Sequence, residues 1–203
     1  MKPEWIAPAR TALLLIDFQV DFGAPEGVMA RQGADIAAAQ AASTRAMALT
    51  DAARDAKVEV VFVRLLTRSG DNKILREARQ RREENWPELC VEGSRGADFI
   101  GPQPRPGETV ISKTRFSAFA GTALADHLRA HGVDTVVLAG LTTECCVQSS
   151  AWDGLERDFH LFLAADACAA YEPELHRHTL RTLASNGVIV EDTGIFATLW
   201  NIK

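Results

Sequence analysis

Three short stretches of this chain end in side chains that can do chemistry. Ala12-Leu13-Leu14-Leu15-Ile16 runs into the carboxylate of Asp17, and Ile111-Ser112 runs into the ammonium of Lys113. Val136-Val137-Leu138-Ala139 leads through Gly140-Leu141-Thr142-Thr143-Glu144 to the adjacent thiols Cys145 and Cys146. A carboxylate, an ammonium and a thiol are the inventory of a cysteine-nucleophile hydrolase. The thiolate attacks a carbonyl, the ammonium holds it, and the carboxylate takes the thiol proton and returns it to a departing amine. Each residue alone has a plainer reading. Asp17 suits a helix cap, Lys113 a surface amine, and two neighbouring cysteines a small inert buried pair. A vicinal disulfide would be strained. The weight lies in three such residues at three apolar run ends.

Those runs must be neighbouring strands for the residues to meet. In parallel α/β sheets, ligands bind beyond the carboxyl ends of the strands. The alternation of short apolar runs with longer amphipathic segments predicts such a sheet covered by helices. Strands are expected at Thr11–Asp17, Val58–Arg64, Thr109–Ser112, Val133–Ala139, His160–Ala164 and Val188–Glu191. Unbroken apolarity in Val60-Val61-Phe62-Val63 points to burial on both faces. Helices are expected at Gly33–Ala56, Thr122–His131, Cys146–Arg157 and Pro173–Asn186. From Ser69 to Gly107 the periodicity weakens, apart from an expected helix over Ile74–Glu84, and this segment is expected to cover the site.

The Gly140–Val147 segment is the most specific. Gly140 permits a sharp turn, and Thr142 or Thr143 can cap the next helix. A cysteine in a first helical turn feels the helix dipole, and with Lys113 nearby its thiol pKa is expected to fall. The residues alone leave Cys145 and Cys146 as equal candidates.

The 203 residues suffice for one well-buried domain. A net charge of -5 argues against nucleic-acid and anionic-membrane partners, which need a basic face. No apolar run nears the roughly 20 residues of a membrane span, and the N-terminus has no signal-peptide core. Four cysteines without metal-type pairing suggest reduced thiols and a cytoplasmic location.

Leu15-Ile16-Asp17-Phe18-Gln19-Val20-Asp21-Phe22, the isolated Lys113 and Gly140-Leu141-Thr142-Thr143-Glu144-Cys145-Cys146-Val147 together resemble the isochorismatase-like cysteine hydrolase superfamily, over Thr11 to about Thr193. The superfamily includes nicotinamidases, N-carbamoylsarcosine amidase, and ureidoacrylate and biuret amidohydrolases. The expected fold is a single-domain (1–203) three-layer α/β/α with a six-stranded, mostly parallel sheet in the order 3-2-1-4-5-6. The resemblance implies Cys146 as nucleophile, since that cysteine precedes Val147. It implies Asp17 as acid/base and Lys113 as the group that holds the thiolate. It implies a cis peptide bond between Leu141 and Thr142, and an oxyanion hole from the amides of Thr142 and Cys146.

Nicotinamidases carry an Asp-x-His metal set after the second strand. Here that position reads Val63-Arg64-Leu65-Leu66-Thr67-Arg68, so neither a metal nor any other cofactor is expected. The five histidines, His127, His131, His160, His176 and His178, are read as structural or solvent-facing. True isochorismatases commonly lack the cysteine, so Cys146 argues against vinyl-ether cleavage. The branch closest in pattern is the metal-free amidohydrolases, acting on a small amide, ureide or carbamoyl compound through a thioester. Phe22, Phe116, Phe119 and Trp152 are candidates for pocket walls, and Gln19, Arg115 and Ser117 for orienting polar groups. The resemblance also suggests a homo-oligomer, a dimer or tetramer. Two alternatives remain: a vinyl-ether hydrolase that depends on Asp17 but not Cys146, and a non-catalytic binding protein on the same scaffold.

Overall fold

The structure, a computed structural model, describes residues 1–82 and 87–201. Its centre is a six-stranded sheet in the order β3-β2-β1-β4-β5-β6. The strands are β1 (Thr11–Ile16), β2 (Glu59–Leu65), β3 (Thr109–Lys113), β4 (Thr135–Leu141), β5 (His160–Ala169) and β6 (Ile189–Glu191). Every pairing is parallel, so all six carboxyl ends share one edge of the sheet. The central strands β1 and β4 are buried at every residue, which is why they read as unbroken apolar runs.

Alternate side chains serve opposite layers. Leu13, Leu15, Phe62 and Val137 face α3 (Ala37–Asp55) and α8 (Thr193–Trp200). Ala12, Leu14, Ile16, Val61 and Val136 face α5 (Leu124–Ala130), α6 (Gln148–Leu155) and α7 (Pro173–Ser185). The face that α3 turns to the sheet is built from Ala39, Ala42, Ala46, Leu49 and Ala53. Small side chains there let a 19-residue helix lie close to the strands.

Local chemistry moves several boundaries from their expected places. Gly33 has φ of 85°, and the Ala37 amide donates to Asp35 Oδ1 at 2.9 Å, so α3 starts at Ala37 rather than at Gly33. The helix expected over Ile74–Glu84 is present as α4 (Lys73–Arg81), with Glu83 and Glu84 outside the described residues. One-turn helices α1 (Val20–Gly23) and α2 (Val28–Arg31) follow β1, where no helix is expected. β5 runs on to Ala169 instead of stopping at Ala164. Its register against β4 jumps from Leu138↔Leu163 to Gly140↔Cys168. The excursion projects Asp166, which accepts hydrogen bonds from the Thr193 amide and hydroxyl at 2.7 and 2.9 Å. That cap starts α8, a helix absent from the sequence-based expectation. Trp200 then donates to the Ile6 carbonyl at 3.1 Å and ties the helix to the N-terminal turn.

The segment 87–100 closes over the loops that follow β1 and β2. Thr67 pairs with Val91 in a parallel bridge, and Gln19 with Phe99 in an antiparallel one. Val20 and Ile100 add amide bonds to the Asp98 and Phe18 carbonyls, both 2.9 Å. Among the described residues, no helix is long and apolar enough to cross a membrane.

Candidate active site

β1, β3 and the β4–α6 junction bring the three reactive side chains together. Lys113 Nζ lies 2.8 Å from Asp17 Oδ2, 3.3 Å from Cys146 Sγ and 3.1 Å from the Arg115 carbonyl oxygen. An ammonium has three hydrogens, and here three acceptors surround it. The Asp17 and Lys113 side chains are wholly enclosed, and Cys146 is 6% exposed. Asp17 has φ of 55°, a turn that ends β1 and points the carboxylate inward. Apart from the ion pair, neither Asp17 oxygen has a well-aligned hydrogen-bond partner among the described residues.

Burial pushes the Asp17 carboxyl above its ordinary pKa, against the pull of Lys113. Lys113 goes up as well: burial favours its neutral amine, but the Asp17 charge overrides this and keeps it cationic. The Cys146 thiol departs from the sequence expectation. Its hydrogen bond with Cys145, its burial and the Asp17 charge hold it well above the ordinary thiol value, with Lys113 opposing. Burial and the Asp17 charge thus favour the protonated thiol in the unliganded site, while Lys113 favours the thiolate. Helix dipole and ammonium do not outweigh full burial next to an anion.

The turn that presents Cys146 is not plain α-helix. Thr143–Val147 forms a π-turn before α6, and the Thr142 carbonyl accepts from the Cys145 and Val147 amides at 3.1 and 3.2 Å. Such turns occur frequently at functional sites. The two acceptances flank Cys146, whose own amide lies in the first turn. The Leu141–Thr142 bond is cis. Gly140 is required here, because a Cβ at this position would collide with the backbone and side chain of Ile16.

The other sequence-derived candidates divide. Gln19 is fully buried, and its side chain is committed to backbone: Nε2 donates to the Leu65 and Ala97 carbonyls at 2.9 and 3.0 Å, and Oε1 accepts from the Leu65 amide at 2.8 Å. It braces the β2 end against the covering segment and does not present its amide to a ligand. Ser117 Oγ donates to Asp153 at 2.6 Å and accepts from the Phe119 amide at 3.0 Å, so it too is a brace. Phe119 stacks on Phe159 with centroids 5.6 Å apart and lies beneath Gly154 of α6, in the core. Phe22 is buried in the opposite core layer, and Trp152 packs half-buried on the α6 side. Arg115 and Phe116 are exposed on the turn after β3, and what Arg115 gives Lys113 is a backbone carbonyl.

Replacing Gln19 by alanine removes three bonds to buried backbone. It is expected to lower stability by about 2–3 kcal/mol, read from a denaturant midpoint shift. A Gln19→Glu variant would keep the shape, yet it could not donate to the Leu65 and Ala97 carbonyls.

Three supporting residues, Asp21, Tyr171 and Glu144, escape the sequence reading, and His176 has a structural contact of the kind read for it. Asp21, buried, accepts from the Cys90 amide at 2.7 Å and the Val28 amide at 3.1 Å, and Gly96 packs directly against its carboxylate. Its signal was an acid inside the apolar stretch Val20–Gly23. Tyr171, the single tyrosine, donates to the Phe22 carbonyl at 2.8 Å. His176 Nδ1 lies 2.8 Å from Thr143 Oγ1, so this half-buried histidine steadies the cysteine turn from α7. Burial pushes the Glu144 carboxyl up, and its Oε2 is buried without a partner among the described residues. Nothing in the spacing distinguishes Tyr171, His176 or Glu144.

A cleft of about 390 Å³ opens beside the β2 end, lined by Arg64, Leu66, Glu92, Arg95 and Asp98 among others. None of Asp17, Lys113 and Cys146 lines it. All four cysteines are free thiols, and burial pushes Cys168 up to about 12. The residues at and after the end of β2, Arg64 to Arg68, offer neither carboxylate nor imidazole for a metal.

A family model described as the Isochorismatase domain matches residues 11–194. Ureidoacrylate amidohydrolase RutB of Methylobacterium radiotolerans is 32% identical over 215 residues, covering 96% of this chain and 82% of that protein. N-carbamoylsarcosine amidase from Thermoplasma acidophilum aligns with a TM-score of 0.73 and 28% identity, over 91% of this chain and 96% of that one. Pyrazinamidase of Pyrococcus horikoshii, solved in complex with zinc, gives a TM-score of 0.77 and 26% identity, over 90% and 99%.

Proposed function

Because the chain belongs to the isochorismatase family, we propose that it is a cysteine-dependent amidohydrolase cleaving a C–N bond of a small ureide, carbamoyl compound or amide. The observation that carries this reading is the contact of one ammonium with both Asp17 and Cys146 in a buried site. Asp17 takes the thiol proton as sulfur bonds to the carbonyl carbon. The oxyanion is met by the amides of Thr142 and Cys146. Collapse expels ammonia or an amine, which leaves with the proton from Asp17. Water, deprotonated by Asp17, then hydrolyses the thioester, giving the acid and the free thiol. Lys113 remains cationic throughout and offsets the charge that passes between sulfur and carboxylate.

The ureide and carbamoyl classes are favoured by the first-named relative and by the N-carbamoylsarcosine amidase likeness. The donor-poor end of β2 separates this chain from a metal-assisted pyridine carboxamide site. Ammonia release should therefore be measured on ureides, N-carbamoyl amino acids, biuret, aliphatic amides and nicotinamide. A ureide or carbamoyl substrate is expected to exceed nicotinamide by about 100-fold or more in kcat/KM. Preference for nicotinamide, or hydrolysis of a vinyl ether alone, would overturn the reading.

A further inference from the structure

At the amino-terminal edge of the sheet, far from Cys146, three metal-type ligands converge. Glu59 opens β2, and His127 and His131 lie four residues apart along one face at the end of α5. His127 Nε2 is 3.1 Å from Glu59 Oε1, and the two imidazole rings stack with centroids 4.3 Å apart. One ligand atom from each of the three side chains lies within 4.8 Å of the others. His131 Nδ1 sits 2.8 Å from the His127 carbonyl oxygen. A carbonyl only accepts, so the proton is on Nδ1 and the lone pair is left on Nε2, as in histidines oriented for metal ligation.

We propose that Glu59, His127 and His131 form a binding site for a borderline divalent transition cation of the Zn²⁺ or Ni²⁺ class, with water completing the coordination. Two imidazoles and a carboxylate suit such ions and not Mg²⁺ or Ca²⁺, which require oxygen donors. The cation would displace the contact that now joins His127 Nε2 to Glu59 Oε1 and take His131 as its third protein ligand. Glu59 and the Asp17 end of the sheet are separated by the length of β2, about 20 Å, so this site takes no part in thiol chemistry. It clamps the first residue of β2 to the end of α5. The helix that carries His127 buries Leu124 and Leu128 against the sheet, with Ala125 packed beside them.

Zn²⁺ titrated calorimetrically into chelator-stripped full-length protein is expected to bind one equivalent per chain and to raise Tm. His131→Ala, at an exposed position, and Glu59→Gln are each expected to weaken binding about tenfold or more while leaving the metal-free Tm nearly unchanged. A Cys146→Ala chain is expected to bind as the native one does. No saturable uptake, uptake indifferent to His131→Ala, or uptake lost with Cys146→Ala (placing the ion on the thiols) would each overturn the proposal.

Discussion

Lys113→Met is expected to cost about 3–5 kcal/mol of stability at pH 8, because it leaves the enclosed Asp17 carboxylate without its counter-charge. The loss should shrink as the pH falls. Without Lys113 the Asp17 pKa in the folded chain rises further, so between the unfolded value of about 3.9 and that raised value the native state binds more proton than the unfolded one. Stability is then greatest below the unfolded pKa and is lost as pH rises through the folded one. The double variant Asp17→Asn/Lys113→Met replaces the pair by neutral groups of similar volume and should recover most of the stability while remaining inactive. Urea unfolding of the native chain, Lys113→Met and the double variant at pH 5 and pH 8, beside one activity assay, separates the structural from the chemical part of the pair. A double variant as unstable as Lys113→Met alone would show that the ion pair is not the source of the loss.

Cys146→Ala is expected to reduce turnover by about 10⁴-fold or more on any substrate the native protein hydrolyses, whereas Cys145→Ala should stay within about tenfold. Intact-mass measurement of a quenched reaction should show the acyl adduct in the native chain and in Cys145→Ala, and not in Cys146→Ala. The pH profile belongs to the same experiment. Asp17 must be ionised to accept the thiol proton, and burial raises its pKa, so kcat/KM should fall on the acid side at a pH above the ordinary carboxylate value of about 4. An acid limb at or below that value would mean that Asp17 is not the acceptor. Alkylation of Cys146 by iodoacetamide should require alkaline pH in the unliganded protein, since the resting thiol is held up.

The sheet was legible because its strands are buried on both faces and announce themselves as apolar runs. The three reactive side chains of the site were legible because each ends such a run. What the chain pattern hides is anything set by register or by distant partners. The jump in β5 against β4 places Asp166 under α8, and no local spacing records that pairing. Gln19 and Ser117 look like substrate contacts in one dimension because they stand near Asp17 and Lys113. In three dimensions their hydrogen bonds are consumed by Leu65, Ala97, Asp153 and Phe119. Phe119 looks like a pocket wall for the same reason, yet it fills the space beneath Gly154. The thiol pKa misleads most: sequence supplies the cation and the helix, but the Cys145 hydrogen bond, the burial and the Asp17 charge that oppose them are set in space.

Enclosure of the Asp17–Lys113 pair has one more consequence. At physiological ionic strength the Debye length is about 8 Å, and exposed charges are screened over that distance by mobile ions. Both side chains here have zero exposure, so no dissolved ion enters between them. The field that acts on the Cys146 sulfur is therefore fixed by the protein and stays the same in brine as in dilute buffer. Salt can reach only the outer arginines and carboxylates, such as Arg68 with Glu92 and Arg95 with Glu26, which are half-exposed or more. The surface answers to the electrolyte around it; the thiol answers only to the fold.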